Sequence, residues 1–152
     1  MLSRDFKEFV ELLNSRRVEY LVVGGYALAA HGHPRYTGDL DIWLRGSPDN
    51  IDRLLHALAD FGFASLGLKP ADFQSPDAVV QLGFPPARID LLTRIDGVQF
   101  DACYARRLEV EIAGLTLPLI GLEDFKTNKR ASGRLKDLAD LESLDEPKAN
   151  GA

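Results

Sequence analysis

The sequence predicts an α+β domain, a mixed β-sheet flanked by helices, and three observations carry that expectation. Tyr20 to Val23 is a continuous apolar run, the pattern of a strand buried on both faces. Asp39 to Leu44 has the strand period of two, with Asp39 and Asp41 on one face and Leu40, Ile42 and Leu44 on the other. Segments with helical spacing are interleaved with further alternating segments, and such mixing places helices against a sheet in one domain. The expected boundaries are a single domain over residues 1–145 and a flexible polar tail over residues 146–152.

The elements follow in chain order. Residues 4 to 16 form an expected amphipathic helix, capped by Ser3, with Phe6, Phe9, Val10 and Leu13 at core spacing. Gly24-Gly25 ends the first strand in a sharp turn, and Tyr26 to His31 reads as a short helix stopped by Gly32 and Pro34. Ser47-Pro48-Asp49 is a helix start, and Ile51, Leu54, Leu55, Leu58 and Phe61 mark the buried stripe up to Gly62. Residues 64 to 77 read as a loop. Ala78 to Phe84 and Ala87 to Thr93 are strands around a Pro85-Pro86 corner. Phe100 to Arg107 is a short helix. Leu108, Val110 and Ile112 alternate, Ala113-Gly114 turns, and Leu115, Leu117 and Leu119 alternate back as a hairpin. Two helices close the chain, Leu122 to Ala131 and Arg134 to Leu144, the second with Leu135, Leu138, Leu141 and Leu144 along one side.

Composition excludes several function classes. Of 152 residues, 45% are apolar and 27% charged, ordinary for a globular protein, and the net charge of −5 argues against a protein that coats nucleic acid through a broad basic surface. Cys103 is the single cysteine, which excludes an internal disulfide and a cysteine-based zinc site and suits a small core residue. No stretch approaches the ~20 apolar residues of a membrane span, and MLSRDFKEF lacks the apolar core of a signal peptide; a cytoplasmic protein without membrane association is expected.

The chemistry centres on the carboxylates. Side-by-side Asp39 and Asp41 repel each other unless a cation lies between them. Asp90 stands in the apolar run RIDLLT, where an unpaired charge is costly. Three carboxylates from two neighbouring strands suit magnesium, which takes oxygen ligands and shares its shell with phosphates and water. The bland alternatives are a solvated or salt-bridged Asp-X-Asp pair, and Arg88 as no more than the ion-pair partner of Asp90. Gly24-Gly25 is followed by neither a Walker lysine nor the glycine spacing of a dinucleotide fold. Its functional reading is a close backbone approach to phosphate; its other reading is a simple turn. Lys129, Arg130, Arg134 and Lys136 form the densest basic cluster, which suits either a triphosphate or a solvated helix face with Asp137 and Asp140. His31 and His33 flank the loop as metal, capping or surface residues, and Trp43 shares the aspartate face to support a base or to pack.

These residues resemble a known family. An apolar run with Gly-Gly, about a dozen residues, Asp-apolar-Asp-apolar, then a later strand aspartate is similar to the nucleotidyltransferase (DNA polymerase β-like) superfamily. Arg35-Tyr-Thr37-Gly-Asp39-Leu-Asp41 resembles the loop and strand of its minimal and toxin-type bacterial members. The segment LEDFKTNKRASGRLKDLADLE, from Leu122 to Glu142, resembles the closing motif of the AbiEii-like toxins, so the likeness spans Phe6 to Leu144.

What the resemblance implies is a nucleotidyltransferase fold and a magnesium- or manganese-dependent enzyme that moves a nucleoside monophosphate from a nucleoside triphosphate to a hydroxyl. The implied acceptor is a protein side chain, a tRNA end or a small molecule, with the toxin-type likeness favouring the macromolecules and an antitoxin-type partner. Asp39, Asp41 and Asp90 become the catalytic, metal-binding carboxylates. Gly24, Gly25, Tyr26, Arg35, Thr37, Lys129, Arg134 and Lys136 become the nucleotide-binding set. Tyr26 departs from the serine or threonine that many active members carry after the second glycine. A non-catalytic nucleotide-binding or protein-interaction module on the same fold is the alternative.

Overall fold

The computed structural model describes residues 3–32, 38–75, 78–83 and 88–144. The expected tail, the Pro85-Pro86 corner and the segment holding His33, Arg35 and Thr37 lie outside them.

Helix α1 spans Arg4–Ser15, and Ser3 Oγ accepts a hydrogen bond from the Phe6 amide at 3.2 Å, as the cap expected there. Strand β1 (Tyr20–Val23) is buried along its whole length. Helix α2 (Gly24–Ala30) begins directly at the diglycine, so those glycines are its first turn and not a separate connection. Strand β2 is Leu40–Leu44 and helix α3 is Pro48–Asp60, with Pro48 in its first turn. The stretch expected as loop holds two short 3-10 turns, Ala64–Leu66 and Pro70–Phe73, the second anchored by buried Phe73. Strands β3 (Val79–Leu82) and β4 (Ile89–Leu92), helix α4 (Phe100–Ala105), the hairpin β5 (Leu108–Ile112) and β6 (Leu115–Leu119), and helices α5 (Leu122–Ser132) and α6 (Leu135–Leu144) complete the order.

The sheet is mixed and six-stranded, in the order β3-β4-β2-β1-β6-β5. Strands β1 and β2 are antiparallel, β2 and β4 parallel, and β1 and β6 parallel. Hairpin partners β3/β4 and β5/β6 are antiparallel. The β2 alternation decides the two faces. Leu40, Ile42 and Leu44 are buried in the main core with Tyr20, Val22 and Leu91 and with the apolar stripes of α1 and α3, where Phe9 meets Phe61 edge-on at 5.4 Å. Asp41 and Trp43 point to the other side.

Buried Asn50 ties α3 to the sheet ends. Its Oδ1 accepts from the Glu19 amide at 2.7 Å, and its Nδ2 donates to the Glu19 and Arg45 carbonyls, both at 2.9 Å. The last helix departs from its expected packing. Leu135 is 87% exposed and Leu138 48%, whereas Asp137 and Asp140 are buried. Successive steps of three residues rotate by about 300°, so four leucines so spaced drift halfway round the helix. The inward face of α6 carries Asp137, Asp140 and Leu144, with both acids bonded by Lys129 of α5 and Asp137 also by Arg134 between the two helices.

Candidate active site

Backbone pairing assembles the carboxylates. In the β2–β4 ladder Asp41 stands opposite Asp90, and in the β1–β2 ladder Val23 stands opposite Asp41. Opposed residues project to one face, so Asp41 and Asp90 meet beside the end of β1. Asp39 immediately precedes β2 on the same side. Gly24 closes the floor. Its φ is +70°, and a Cβ built there would overlap the Asp41 carboxylate, with Cγ only 3.0 Å away. Glycine is therefore required here twice, by backbone angle and by space.

Arg88 binds two of the three acids. Its backbone carbonyl accepts from the Leu40 amide at 2.9 Å, which brings the residue beside Asp39. Its Nε donates to Asp90 Oδ1 at 2.8 Å, and its Nη2 donates to Asp90 Oδ2 at 3.2 Å and to Asp39 Oδ2 at 3.0 Å. These hydrogen bonds, led by that to Asp90, hold the guanidinium above its already high ordinary range.

Asp41 feels the crowding most. Burial, then the charges of Asp90 and Asp39, push its carboxyl up to about 7, while Lys136 pulls in the other direction; a hydrogen bond with Asp90 also favours the protonated form. Two facing acids hold a place for positive charge.

The cleft above these residues has a volume of about 540 Å³. One wall is Val23, Gly24 and the three aspartates with Arg88. The facing wall comes from the loop after β4 (Arg94, Asp96) and from α5 and α6 (Asn128, Lys129, Arg134, Lys136). Asn128 Nδ2 donates to the Asp96 carbonyl at 2.9 Å and joins the two parts of that wall.

The closing helices bring their basic residues to the cleft in different states. The Lys129 ammonium is buried and donates to Asp137 at 3.0 Å, with Asp140 at 3.4 Å. Arg134 Nε donates to Asp137 at 2.8 Å. Burial would raise the Asp137 carboxyl, but hydrogen bonds from Arg134 and Lys129 outweigh it and hold the group down at about 2. Lys129 is thus held by the helix pair while it lines the cleft. Lys136, on the exposed side of α6, lines the cleft and acts electrostatically on Asp41.

Other expected residues are placed elsewhere. Gly25 is buried in α2. The Tyr26 ring packs edge-on to Phe6 at 5.9 Å, against α1. Trp43 is buried and meets Phe100 edge-on at 5.2 Å, a packing role. His31 Nε2 lies 2.9 Å from the Ile120 carbonyl. Buried Cys103 is a core residue whose thiol burial pushes up to about 11. Arg94, Asp96, Asn128 and Gln81 line the cleft without having been singled out from the sequence. Gln81 alone had a signal, since it pairs with Asp90 once the β3–β4 hairpin is set in register.

The donor set is right for a hard divalent cation: paired carboxylates on adjacent strands and a third beside them. Among the described residues, however, no three acidic, histidine or cysteine side chains are grouped as a closed metal cluster. The forked contacts of Arg88 engage both oxygens of Asp90 and one of Asp39. The residues fit a cation at Asp41 and Asp90, and Arg88 restrains the third ligand.

No family model and no curated protein matches the chain. Solved structures do. A nucleotidyltransferase candidate from Thermotoga maritima superposes with a TM-score of 0.57 at 16% identity, covering 93% of this chain and 88% of that one. The lincosamide antibiotic adenylyltransferase LnuA, bound to lincomycin, superposes with a TM-score of 0.57 at 13% identity, covering 96% and 98%. An antigenic nucleotidyltransferase-like protein from Paracoccidioides brasiliensis gives 0.56 at 23% identity, covering 94% and 77%. Fold and topology therefore define an α+β chain with a mixed sheet and flanking helices. That fold is the nucleotidyltransferase fold.

Proposed function

We propose that this chain is a magnesium- or manganese-dependent nucleotidyltransferase that moves a nucleoside monophosphate from a nucleoside triphosphate to a hydroxyl. The observation that carries the reading is the register of Asp41 with Asp90 on parallel strands, beside Asp39 and beneath a glycine that alone leaves room for the Asp41 carboxylate. Asp39, Asp41 and Asp90 would hold the cation. When bound, it supplies neutralisation of the triphosphate and a lowered pKa for the attacking hydroxyl.

The remaining steps belong to the chain. The acceptor oxygen forms a bond to the α-phosphorus, the bond from that phosphorus to the β-bridging oxygen breaks, and pyrophosphate leaves. Asp90, on the side of the attacking oxygen, receives or orients the hydroxyl proton, which passes to water. Gly24 keeps a side chain away from the phosphates, and Gly25 belongs to the nucleotide-binding set by resemblance alone. Lys136 and Arg134 face the cleft as cations that balance the leaving pyrophosphate. Lys129 acts through position, fixing α6 by its bonds to Asp137 and Asp140. Arg35 and Thr37 belong to the nucleotide-binding set by resemblance alone.

The acceptor we infer is a macromolecule, tRNA or protein, with an antitoxin-type partner, following the resemblance of the closing helices to toxin-type members. The placement is cytoplasmic, and no helix among the described residues is long and apolar enough to cross a membrane. A second reading, a nucleotide-binding or protein-interaction module without transfer, is favoured by one observation: Arg88 already neutralises two of the acids.

The test is to incubate each nucleoside triphosphate, labelled at the α-phosphorus, with magnesium or manganese, total tRNA and lysate protein. Label on tRNA or protein with the wild type and none with Asp39→Ala/Asp41→Ala supports transfer. Tight nucleotide binding without label in any fraction supports the second reading.

A further inference from the structure

Arg88 is placed where a cation belongs. The strand period puts it on the face of Asp90, two residues on, and the parallel pairing of β2 with β4 puts it beside Asp39. A guanidinium keeps its proton at any ordinary pH, so these contacts cannot be relieved by deprotonation. A metal ion bound to the same oxygens would stand within a few ångströms of a fixed like charge, which strongly disfavours joint occupancy. The Arg88 side chain is 26% exposed and lines the open cleft, so it has somewhere to go. On that wall its planar fork matches phosphate oxygens as well as it matches carboxylates.

Resting on the reading of this cleft as a metal–nucleotide site, we propose that Arg88 is the resident counter-cation of the carboxylates. Metal entry displaces it, and the freed guanidinium then binds the triphosphate. Arg88 thus couples loading of metal to loading of nucleotide. Without metal it keeps the acids together and is withheld from phosphate; with metal it becomes a phosphate ligand.

The inference gives Arg88→Gln effects of opposite sign on two ligands, which a merely structural role would not do. Binding of Mn2+ alone, followed by electron paramagnetic resonance, tightens by about tenfold or more, because a competing charge is gone. Binding of Mn2+ with a non-hydrolysable ATP analogue, followed by calorimetry, weakens by about tenfold, because a phosphate ligand is lost. Arg88→Lys keeps the charge without the fork and binds Mn2+ alone nearly as weakly as wild type. A measurement on the wild type needs no variant to fold: the Arg88 Nε–H NMR signal, hydrogen-bonded to Asp90, shifts on addition of Mg2+.

Mn2+ affinity in Arg88→Gln that is unchanged or weaker, or an Nε–H signal indifferent to Mg2+ at concentrations that bind, overturns the counter-cation role and leaves the transferase reading standing. A wild type that binds neither Mn2+ nor Mn2+ with the analogue overturns that reading, and the inference with it.

Discussion

Asp41 and Asp90 stand opposite each other in the β2–β4 ladder, on strands that run in the same direction but lie far apart in sequence. This relationship sets the chemistry of the cleft. Two carboxylates so placed tolerate one proton or one cation between them, and little else.

The pH dependence of stability follows from that pair. In the folded protein the Asp41 carboxyl is raised from its ordinary 3.8 to about 7, so the fold holds its proton more tightly than the unfolded chain does. The contribution to stability is full below about pH 4, declines as pH rises, and is gone above about pH 7. Metal-free protein unfolds at progressively lower urea concentration across that window. Saturating Mg2+ flattens the decline, and Asp41→Asn removes it while abolishing transfer. Urea midpoints measured from pH 4 to pH 8, about the span of the shift, check all three.

Gly24 is tested against Gly62. Gly24→Ala meets both a φ of +70° and overlap with the Asp41 carboxylate, whereas Gly62→Ala meets a φ of +99° with nothing within 4 Å. Gly62→Ala is expected to cost about 1 kcal/mol and leave transfer intact. Gly24→Ala is expected to cost about 2–3 kcal/mol and to lower transfer at least ~100-fold, because Asp41 must move. Thermal melts and label transfer on the two variants separate strain alone from strain in the site.

The closing helices hold two kinds of lysine. Lys129→Met removes a buried ammonium from Asp137 and is expected to cost about 3–5 kcal/mol. It also lifts the depressed carboxyl of Asp137, whose stabilising contribution is present above about pH 3.8 and lost as pH falls through about 2. Acid unfolding of Lys129→Met therefore begins at higher pH than in wild type. Lys136→Met changes stability by less than about 0.5 kcal/mol and weakens nucleotide binding about tenfold. Urea titration and calorimetry on both variants check this division.

The sheet was legible in the sequence because period-two alternation and unbroken apolar runs mark strands directly, as at Tyr20–Val23 and Leu40–Leu44. The aspartate face was legible for the same reason. Strand pairing was not, since the contact of Asp41 with Asp90 depends on which strands become neighbours. Arg88 could be read as an ion-pair partner for Asp90, but its bond to Asp39 depends on the same pairing. Leucines at three-residue spacing do not form one stripe on α6; its buried side carries Asp137 and Asp140, with Lys129 bonded to both and Arg134 to Asp137. The packing of Tyr26 on Phe6 depends on the placement of α1 and was not legible either.

Nucleotidyl transfer through the three carboxylates is open to direct measurement. The most direct measurement offers the chain one acceptor that takes label, with nucleoside triphosphate labelled in parallel at the α- and γ-phosphorus, and counts pyrophosphate released per label transferred. The expected result is α-label on the acceptor, γ-label only in pyrophosphate, equal amounts of each, and loss of both in Asp90→Asn. Label arriving from the γ-position, or transfer undiminished in Asp90→Asn, would contradict it.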